Sequence, residues 1–120
     1  MTTIDCRKDK NMKISELTAK NVFKLVNDGG NGDTEITKPF ACDLLSFAMS
    51  KASSGCAWFT VMGNVNTIAV SVLTECACVV LCEGAELDEA ATEKAKQQNV
   101  TVYSTSLPVF DAALILYKEL

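Results

Sequence analysis

Residues 57–84, AWFTVMGNVNTIAVSVLTECACVVLCEG, constrain the fold more than any other part of the chain. An apolar run ends at Gly63, a short apolar segment follows a Gly-Asn turn, and a second apolar run ends at Gly84. Short apolar runs bounded by turn residues are typical of strands buried on both faces of a parallel sheet. The segment is too apolar to lie on a surface, so the rest of the chain must cover it. It predicts a parallel βαβ unit with a right-handed crossover, whose helix is capped by Asn64 or Asn66.

The elements after this unit repeat the alternation of helix and strand. Residues 86–98 carry acids in the first turn and lysines later, which suits a helix dipole, and residues 99–105 read as a strand. Pro108 is predicted to begin a last helix, because proline suits the first turn. Its predicted inward side chains are Val109, Phe110, Ala113, Leu114 and either Leu116 or Tyr117.

The N-terminal half predicts shorter elements around a turn-dense loop at residues 27–33. A simple turn is favoured there over a phosphate-binding loop, because no Lys-Ser or Lys-Thr pair follows the glycines and no long helix begins. In chain order, the predicted elements begin with a helix capped by Ser15 and a strand at 22–27. An irregular extended segment follows at 34–42, in which Pro39 implies an edge position or a bend. The next predicted helix is capped by Asp43, with Leu44, Leu45, Phe47, Ala48 and Met49 mostly on one face.

The predicted fold is a single α/β domain over residues 12–120, a three-layer α/β/α sandwich around a mostly parallel sheet. A chain of 120 residues is long enough for one core of this kind. Residues 1–11 are charged and lack hydrophobic periodicity, so they are predicted to be a flexible tail. Trp58 and Phe59 are neighbours on a strand and are predicted to face opposite sides of the sheet.

Charge and composition exclude several classes of partner. The net charge of −4 argues against nucleic acids and anionic membranes, since both reward a basic patch. No apolar stretch approaches the roughly 20 residues that a spanning helix needs. The polar N-terminus lacks the apolar core of a secretory signal, so a cytoplasmic location is expected. The six cysteines are accordingly expected to be reduced.

No catalytic constellation is visible in the sequence. The absence of histidine removes the Ser-His-Asp and Cys-His nucleophile systems and the commonest transition-metal ligand, so neither an enzyme nor a cofactor is predicted. Cys76, Cys78 and Cys82 are predicted to share one face of a strand with Val80. Thiolates in one flat row cannot close a tetrahedral site, so core packing is favoured over a metal.

The candidate binding site is the crevice beyond the carboxyl ends of the parallel strands, where ligands of open α/β sheets bind. Each strand end precedes a helix, whose free N–H groups can hold an anion. The alternative is that these residues only form helix caps and tight turns, since one acidic residue and no Lys or Arg lies in the three loops. The candidate residues are Gly63, Asn64, Asn66, Thr67, Glu83, Gly84, Ser104 and Thr105.

Three stretches, in this order and spacing, resemble small stand-alone proteins of the DRTGG domain family: CDLLSFAM, WFTVMGNVNTIAVSVL and ACVVLCEGAELDEAATEKAKQQNVTVYST. The resemblance extends from residue 12 to about residue 117. The residues that name the family are largely replaced. Asn64, Val65 and Asn66 stand at its Asp, Arg and Thr positions, and Glu83 stands at the first Gly, so that only Gly84 keeps its identity.

The resemblance implies a fold similar to the N-terminal domain of HPr kinase/phosphorylase and a regulatory or dimerising role. Such domains accompany CBS domains in regulated pyrophosphatases and the catalytic domain of some phosphotransacetylases. It also implies an anaerobic bacterial source and a hydrogenase-associated or other regulatory protein partner. We therefore expect a non-catalytic, homodimerising module; the alternative is a sensor for a nucleotide or another anion at the crevice. Kinase activity does not carry over, because the chain has no GxxxxGK[ST] motif.

Overall fold

The computed structural model describes residues 11–120. The strands are β1 (Met12–Lys13), β2 (Lys24–Asn27), β3 (Glu35–Ile36), β4 (Pro39–Ala41), β5 (Ala57–Thr60), β6 (Cys78–Leu81) and β7 (Val102–Ser104). The helices are α1 (Ile14–Lys20), α2 (Leu45–Lys51), α3 (Val65–Leu73), α4 (Glu89–Gln98) and α5 (Val109–Glu119). The predicted flexible tail lies outside the described residues except for Asn11, whose side-chain amide donates to Glu35 Oε1 at 3.3 Å.

The main sheet has the strand order β2-β7-β6-β5-β4. The strands β4 to β7 run parallel, and β2 pairs antiparallel with β7 at one edge. Pro39 lies on the other edge strand, as its missing N–H predicts. The mostly parallel α/β fold predicted from the sequence is confirmed. The parallel part has four strands, because β4 joins β5.

Helices cover both faces of the sheet. Phe59 belongs to the core on the face covered by α1 and α5, whereas Trp58 belongs to the core beneath α2, α3 and α4. The two side chains thus face opposite sides, which confirms the strand alternation. No helix among the described residues combines the length and apolarity that crossing a membrane would require.

The first helix begins without a cap from Ser15, and the Glu16 carboxylate accepts a hydrogen bond from the Lys13 N–H at 2.7 Å. Ser15 lies inside α1 and Lys13 occupies the N-cap position, so the predicted cap is wrong. The N–H groups of Ile14 and Ser15 instead donate to the carbonyl oxygens of Thr34 and Gly32, at 2.9 and 3.0 Å. The glycine-rich loop therefore supplies main-chain acceptors to the helix start, a long-range arrangement that the local sequence does not reveal.

Asp43 was predicted to cap α2, and this is also wrong, since Leu44 occupies the N-cap position. The Asp43 carboxylate accepts hydrogen bonds from the Thr60 hydroxyl at 2.6 Å and from the Val61 N–H at 2.9 Å. Thr60 is fully buried at the end of β5. A charged acceptor that satisfies a buried hydroxyl and a strand-end amide stabilises the junction of β4 and β5 more than a helix cap would.

Cys76 does not share a face with the other two cysteines of its run. Cys78 and Cys82 pack with Val80 on the α1–α5 side of the sheet, but Cys76 packs on the opposite side. The period-two alternation fails there because Cys76 precedes the strand, which begins at Cys78. Within residues 11–120, no three cysteine or acidic side chains come together in a way that could hold a metal ion.

Helices α2 and α5 leave large apolar side chains outside the core. In α5, Ala112 and Leu116 are the buried residues, and Phe110, predicted to point inward, is 72% exposed. Ala112 and Leu116 are four positions apart and share one face of the helix. Phe110 lies on the opposite face. In α2, Ala48 alone is fully buried, whereas Leu44, Phe47 and Met49 are exposed, so the predicted apolar face of α2 is mostly uncovered.

Candidate functional site

The three predicted turns lie at one end of the sheet, where the parallel strands finish. The parallel strands β5, β6 and β7 end at Thr60, Leu81 and Ser104, and each leads into a turn before the next helix. The turn after β5 holds Gly63, and the turn after β6 holds Gly84. All eight candidate residues therefore belong to the crevice side of the fold, although they differ in whether they face open space.

The turn after β5 is closed by the chain itself. A Cβ atom on Gly63 would lie 2.1 Å from the carbonyl oxygen of Glu86. The Gly63 carbonyl oxygen also accepts a hydrogen bond from the Asp88 N–H at 3.0 Å. Gly63 thus permits close approach of the segment that leads into α4, and the turn packs against its own chain.

The polar residues after Gly63 begin helix α3. The Asn64 side-chain oxygen accepts from the Thr67 N–H at 3.0 Å and from the Thr67 hydroxyl at 3.4 Å. Of the two predicted caps, Asn64 is therefore the one used, and Thr67 is fully buried beneath it. Asn66 is exposed. Helix capping therefore accounts for Asn64 and Thr67, as expected if the candidate residues only form helix caps and tight turns.

The turn after β6 contains two consecutive left-handed residues. Glu83 has φ 60° and Gly84 has φ 74°. Their N–H groups donate to the carbonyl oxygens of Leu107 and Thr105, at 2.9 and 3.0 Å. The second turn is therefore tied to the third, and its two amides are already paired within the chain. Left-handed backbone at both positions is the conformation that glycine adopts without strain.

We predict that Glu83→Gly stabilises the protein. A non-glycine residue in the left-handed region costs about 1–2 kcal/mol, and the added freedom of glycine in the unfolded chain offsets about 0.5–1 kcal/mol of the gain. The free energy of unfolding, measured by urea denaturation, should therefore rise by about 0.5–1 kcal/mol. Glu83→Ala is the matched control, since it removes the carboxylate but keeps a Cβ atom. Equal stability of the two variants would contradict the backbone explanation.

An open cavity of about 250 Å³ lies beside the second and third turns. Gly84, Ser104, Thr105 and Ser106 line it together with Lys24, which comes from the antiparallel edge strand. Lys24 pairs with Ser104 across β2 and β7, so the two residues are neighbours in the wall of the cavity. Sequence reasoning missed Lys24, because it found no cation in the three loops and could not place β2 beside β7.

A second cavity of about 230 Å³ shares Lys24, Ser104, Ala85 and Glu86 with the first. Its further lining is largely apolar and consists of Val26, Leu81, Leu87 and Thr92. The two cavities together are named the Lys24 cavity below. Lys24 contributes a cation to it, hydroxyl groups line one end, and apolar side chains line the other. Glu86 is the acidic group of the lining.

Cys82 directly follows β6 at this end of the sheet. Burial, followed by the charges of Asp43 and Glu83, raises the pKa of Cys82 to about 11. The thiol is therefore protonated at neutral pH, whereas nucleophilic cysteines have a lowered pKa. The raised pKa disfavours Cys82 as a nucleophile.

Comparison with known proteins identifies the fold. No protein-family model matches the chain, and no curated protein is significantly similar to it. A solved structure of the CBS and DRTGG domains of the regulatory region of Clostridium perfringens pyrophosphatase, complexed with the activator diadenosine tetraphosphate, superposes with a TM-score of 0.67 at 16% identity. The match covers 82% of this chain and 43% of that one, so this chain spans less than half the length of that structure. The chain has an α/β fold like that found in a CBS and DRTGG regulatory region.

Proposed function

We propose that the chain is a non-catalytic regulatory module and a divergent DRTGG domain. The shared fold with the regulatory region of a pyrophosphatase supports the regulatory role. The left-handed backbone at Glu83 and Gly84 supports the alignment with the DRTGG turn, because both residues stand at the family's glycine positions. The absence of histidine from the sequence removes the commonest acid–base group.

We further propose that the module acts as a homodimer, as the sequence predicts. Helices α2 and α3 pack together, and five large apolar side chains on them are exposed. These residues, named the α2–α3 surface below, are Leu44, Phe47, Met49, Val72 and Leu73. Large exposed apolar side chains on two packed helices are the kind of residue that protein interfaces bury. This surface is the observation on which the proposal rests.

Light scattering tests the dimer. The full-length chain under reducing conditions should have twice the mass of one chain at micromolar concentration. The combined substitutions Phe47→Ser and Leu73→Ser should return it to monomer, because they remove large exposed apolar side chains that the dimer would bury. Phe110→Ser is the matched control, since Phe110 is as exposed but lies on the opposite helix layer. A monomeric wild type at these concentrations would refute the proposal.

A second candidate function is a sensor that binds a nucleotide in the Lys24 cavity. Lys24 and the hydroxyls of Ser104 and Thr105 supply groups that recognise a phosphate. The apolar side chains of Val26 and Leu87 supply a surface suited to a base or a ribose edge. The likeness to a structure complexed with a dinucleotide activator adds to this reading. Lys24 forms no ion pair within residues 11–120, so its charge is available to a ligand.

Thermal denaturation with a nucleotide panel that includes diadenosine tetraphosphate tests the sensor. A ligand at about 100 times its dissociation constant should add about 2.7 kcal/mol of stability. Lys24→Ala should weaken binding about tenfold or more, because it removes the phosphate's cation. Lys38→Ala, an exposed lysine by the opposite edge strand, should bind as the wild type does. No shift with any nucleotide would refute the sensor.

The hydrogenase-associated partner and the cytoplasmic location stay predictions.

A further inference from the structure

Two thiols meet at the opposite end of the sheet from the Lys24 cavity. The Sγ atoms of Cys56 and Cys76 are 3.4 Å apart. Cys56 directly precedes β5 and is fully buried, whereas Cys76 lies two residues before β6 and is only partly buried. The two sulfur atoms are therefore in contact although 19 residues separate them in the chain, and one of the two is open to solvent.

Main-chain hydrogen bonds join the two segments that carry the thiols. The Gly55 N–H donates to the Glu75 carbonyl oxygen, and the Ala77 N–H donates to the Cys56 carbonyl oxygen, both at 2.8 Å. These bonds flank the thiol pair on both sides. A covalent link between the two sulfur atoms therefore requires a small adjustment of side chains and no rearrangement of the fold.

A cavity gives a small reagent access to one thiol of the pair. Cys76 lines an opening of about 150 Å³ together with Ser71, Glu75 and Gln98. Cys56 does not line it and has no exposed surface. A reagent that enters from solvent therefore reaches Cys76 first, and Cys56 is reached only through Cys76.

Hydrogen bonding distinguishes the two sulfur atoms chemically. Cys76 Sγ lies 3.4 Å from Cys56 Sγ and 3.2 Å from the Thr74 hydroxyl oxygen. The hydrogen bond with Cys56, helped by the one with Thr74, lowers the pKa of Cys76 against the effect of burial. The same contact, together with burial, raises the pKa of Cys56. Of the two thiols, Cys76 therefore loses its proton more readily and is the better nucleophile.

We propose that Cys76 and Cys56 form a reversible dithiol–disulfide site, in which Cys76 is the attacking thiol and Cys56 the resolving thiol, for small disulfide oxidants of the glutathione class. Two other cysteines, Cys78 and Cys82, do not fit these roles. Cys78 and Cys82 lie in the core on the other face of the sheet. The site is remote from the Lys24 cavity and does not depend on the regulatory function proposed above.

The reaction proceeds by two thiol–disulfide exchanges. The Cys76 thiolate attacks one sulfur of the oxidant, so that a bond forms between Cys76 Sγ and that sulfur while the oxidant's disulfide breaks and one small thiolate leaves. Once it is capped, Cys76 Sγ no longer accepts the Cys56 proton as a thiolate, and that hydrogen bond is the largest cause of the raised pKa of Cys56. Cys56 then gives its proton to solvent and attacks Cys76 Sγ, which expels the second small thiolate. Two electrons pass from the protein to the oxidant, and two small thiols are produced.

Peptide mapping of the full-length chain tests the site. The native protein is treated with oxidised glutathione, its remaining thiols are alkylated after acid quenching, and its peptides are identified by mass. A Cys56–Cys76 peptide, lighter than the two free peptides by two hydrogen atoms and lost on treatment with dithiothreitol, is expected. Free thiols at both positions under conditions that modify Cys42 would overturn the proposal, as would a disulfide from either of them to another cysteine.

Variants separate the roles of the two thiols. Cys56→Ser should retain glutathione as a stable mixed disulfide on Cys76, because no resolving thiol remains. Cys76→Ser should leave Cys56 unmodified, because Cys56 is buried. Cys42→Ser is the control and should form the Cys56–Cys76 bridge as the wild type does. Glutathione on Cys56 in the Cys76→Ser variant, with native circular dichroism, would overturn the assignment of Cys76 as the attacking thiol.

Discussion

Replacing Gly63 by alanine is expected to lower the free energy of unfolding by about 3 kcal/mol. The new Cβ atom would lie 2.1 Å from the Glu86 carbonyl oxygen and 2.8 Å from the Glu86 carbonyl carbon. Both are backbone atoms, so no flexible side chain can move aside. Separation of the two segments would also strain the hydrogen bond from the Asp88 N–H to the Gly63 carbonyl oxygen.

Urea denaturation of Gly63→Ala and Gly84→Ala measures this effect against a matched control. A Cβ on Gly84 would meet no atom within 4 Å, but its φ of 74° disfavours alanine. The control should therefore lose about 1–2 kcal/mol, from backbone strain alone. If Gly63→Ala lost no more than Gly84→Ala, the turn after β5 would have room for a ligand and the closed description of it would be wrong.

Trp58→Ala is expected to cost about 3–5 kcal/mol, the range for large aromatic truncations in a core. Trp58 is fully buried in the core beneath α2, α3 and α4. Its indole N–H also donates to the Cys42 carbonyl oxygen at 2.9 Å, at the end of the edge strand β4. The substitution removes the largest fully buried side chain of the molecule's described part and leaves that carbonyl unpaired.

Trp58→Phe divides the cost between packing and hydrogen bonding. It keeps an aromatic ring and removes the donor, so a loss of about 1–3 kcal/mol is expected from the unpaired carbonyl. Chemical denaturation with circular dichroism detection measures both variants. Equal losses for Trp58→Phe and Trp58→Ala would mean that ring packing contributes little, contrary to the burial of the side chain. Wild-type stability of the Trp58→Phe variant would mean that the hydrogen bond does not stabilise the protein.

The sequence was sufficient to predict the central βαβ unit, because its signals are local. Apolar runs, the turn at Gly63 and the Asn64 cap each depend on residues a few positions apart, and the structure contains them. The edge position of Pro39 follows from its missing N–H. Alternation also placed Trp58 and Phe59 on opposite faces correctly.

Long-range contacts account for what the sequence did not predict. Asp43 bonds to Thr60 and not to its own helix, since the adjacent strand end offers two donors. Lys24 enters the candidate site from an antiparallel edge strand far away in the chain. Cys56 and Cys76 meet because β5 and β6 are neighbours, which their spacing of 20 residues does not show.

Hydrogen–deuterium exchange of the full-length chain at low and at high micromolar concentration is the decisive measurement for the dimer. The amides of α2 (Leu45–Lys51) should exchange more slowly at the higher concentration, because the α2–α3 surface would then be covered by a second copy. The amides of α5 (Val109–Glu119), on the opposite layer, should exchange at the same rate at both concentrations. Exchange in α2 that does not change with concentration would contradict a dimer through this surface.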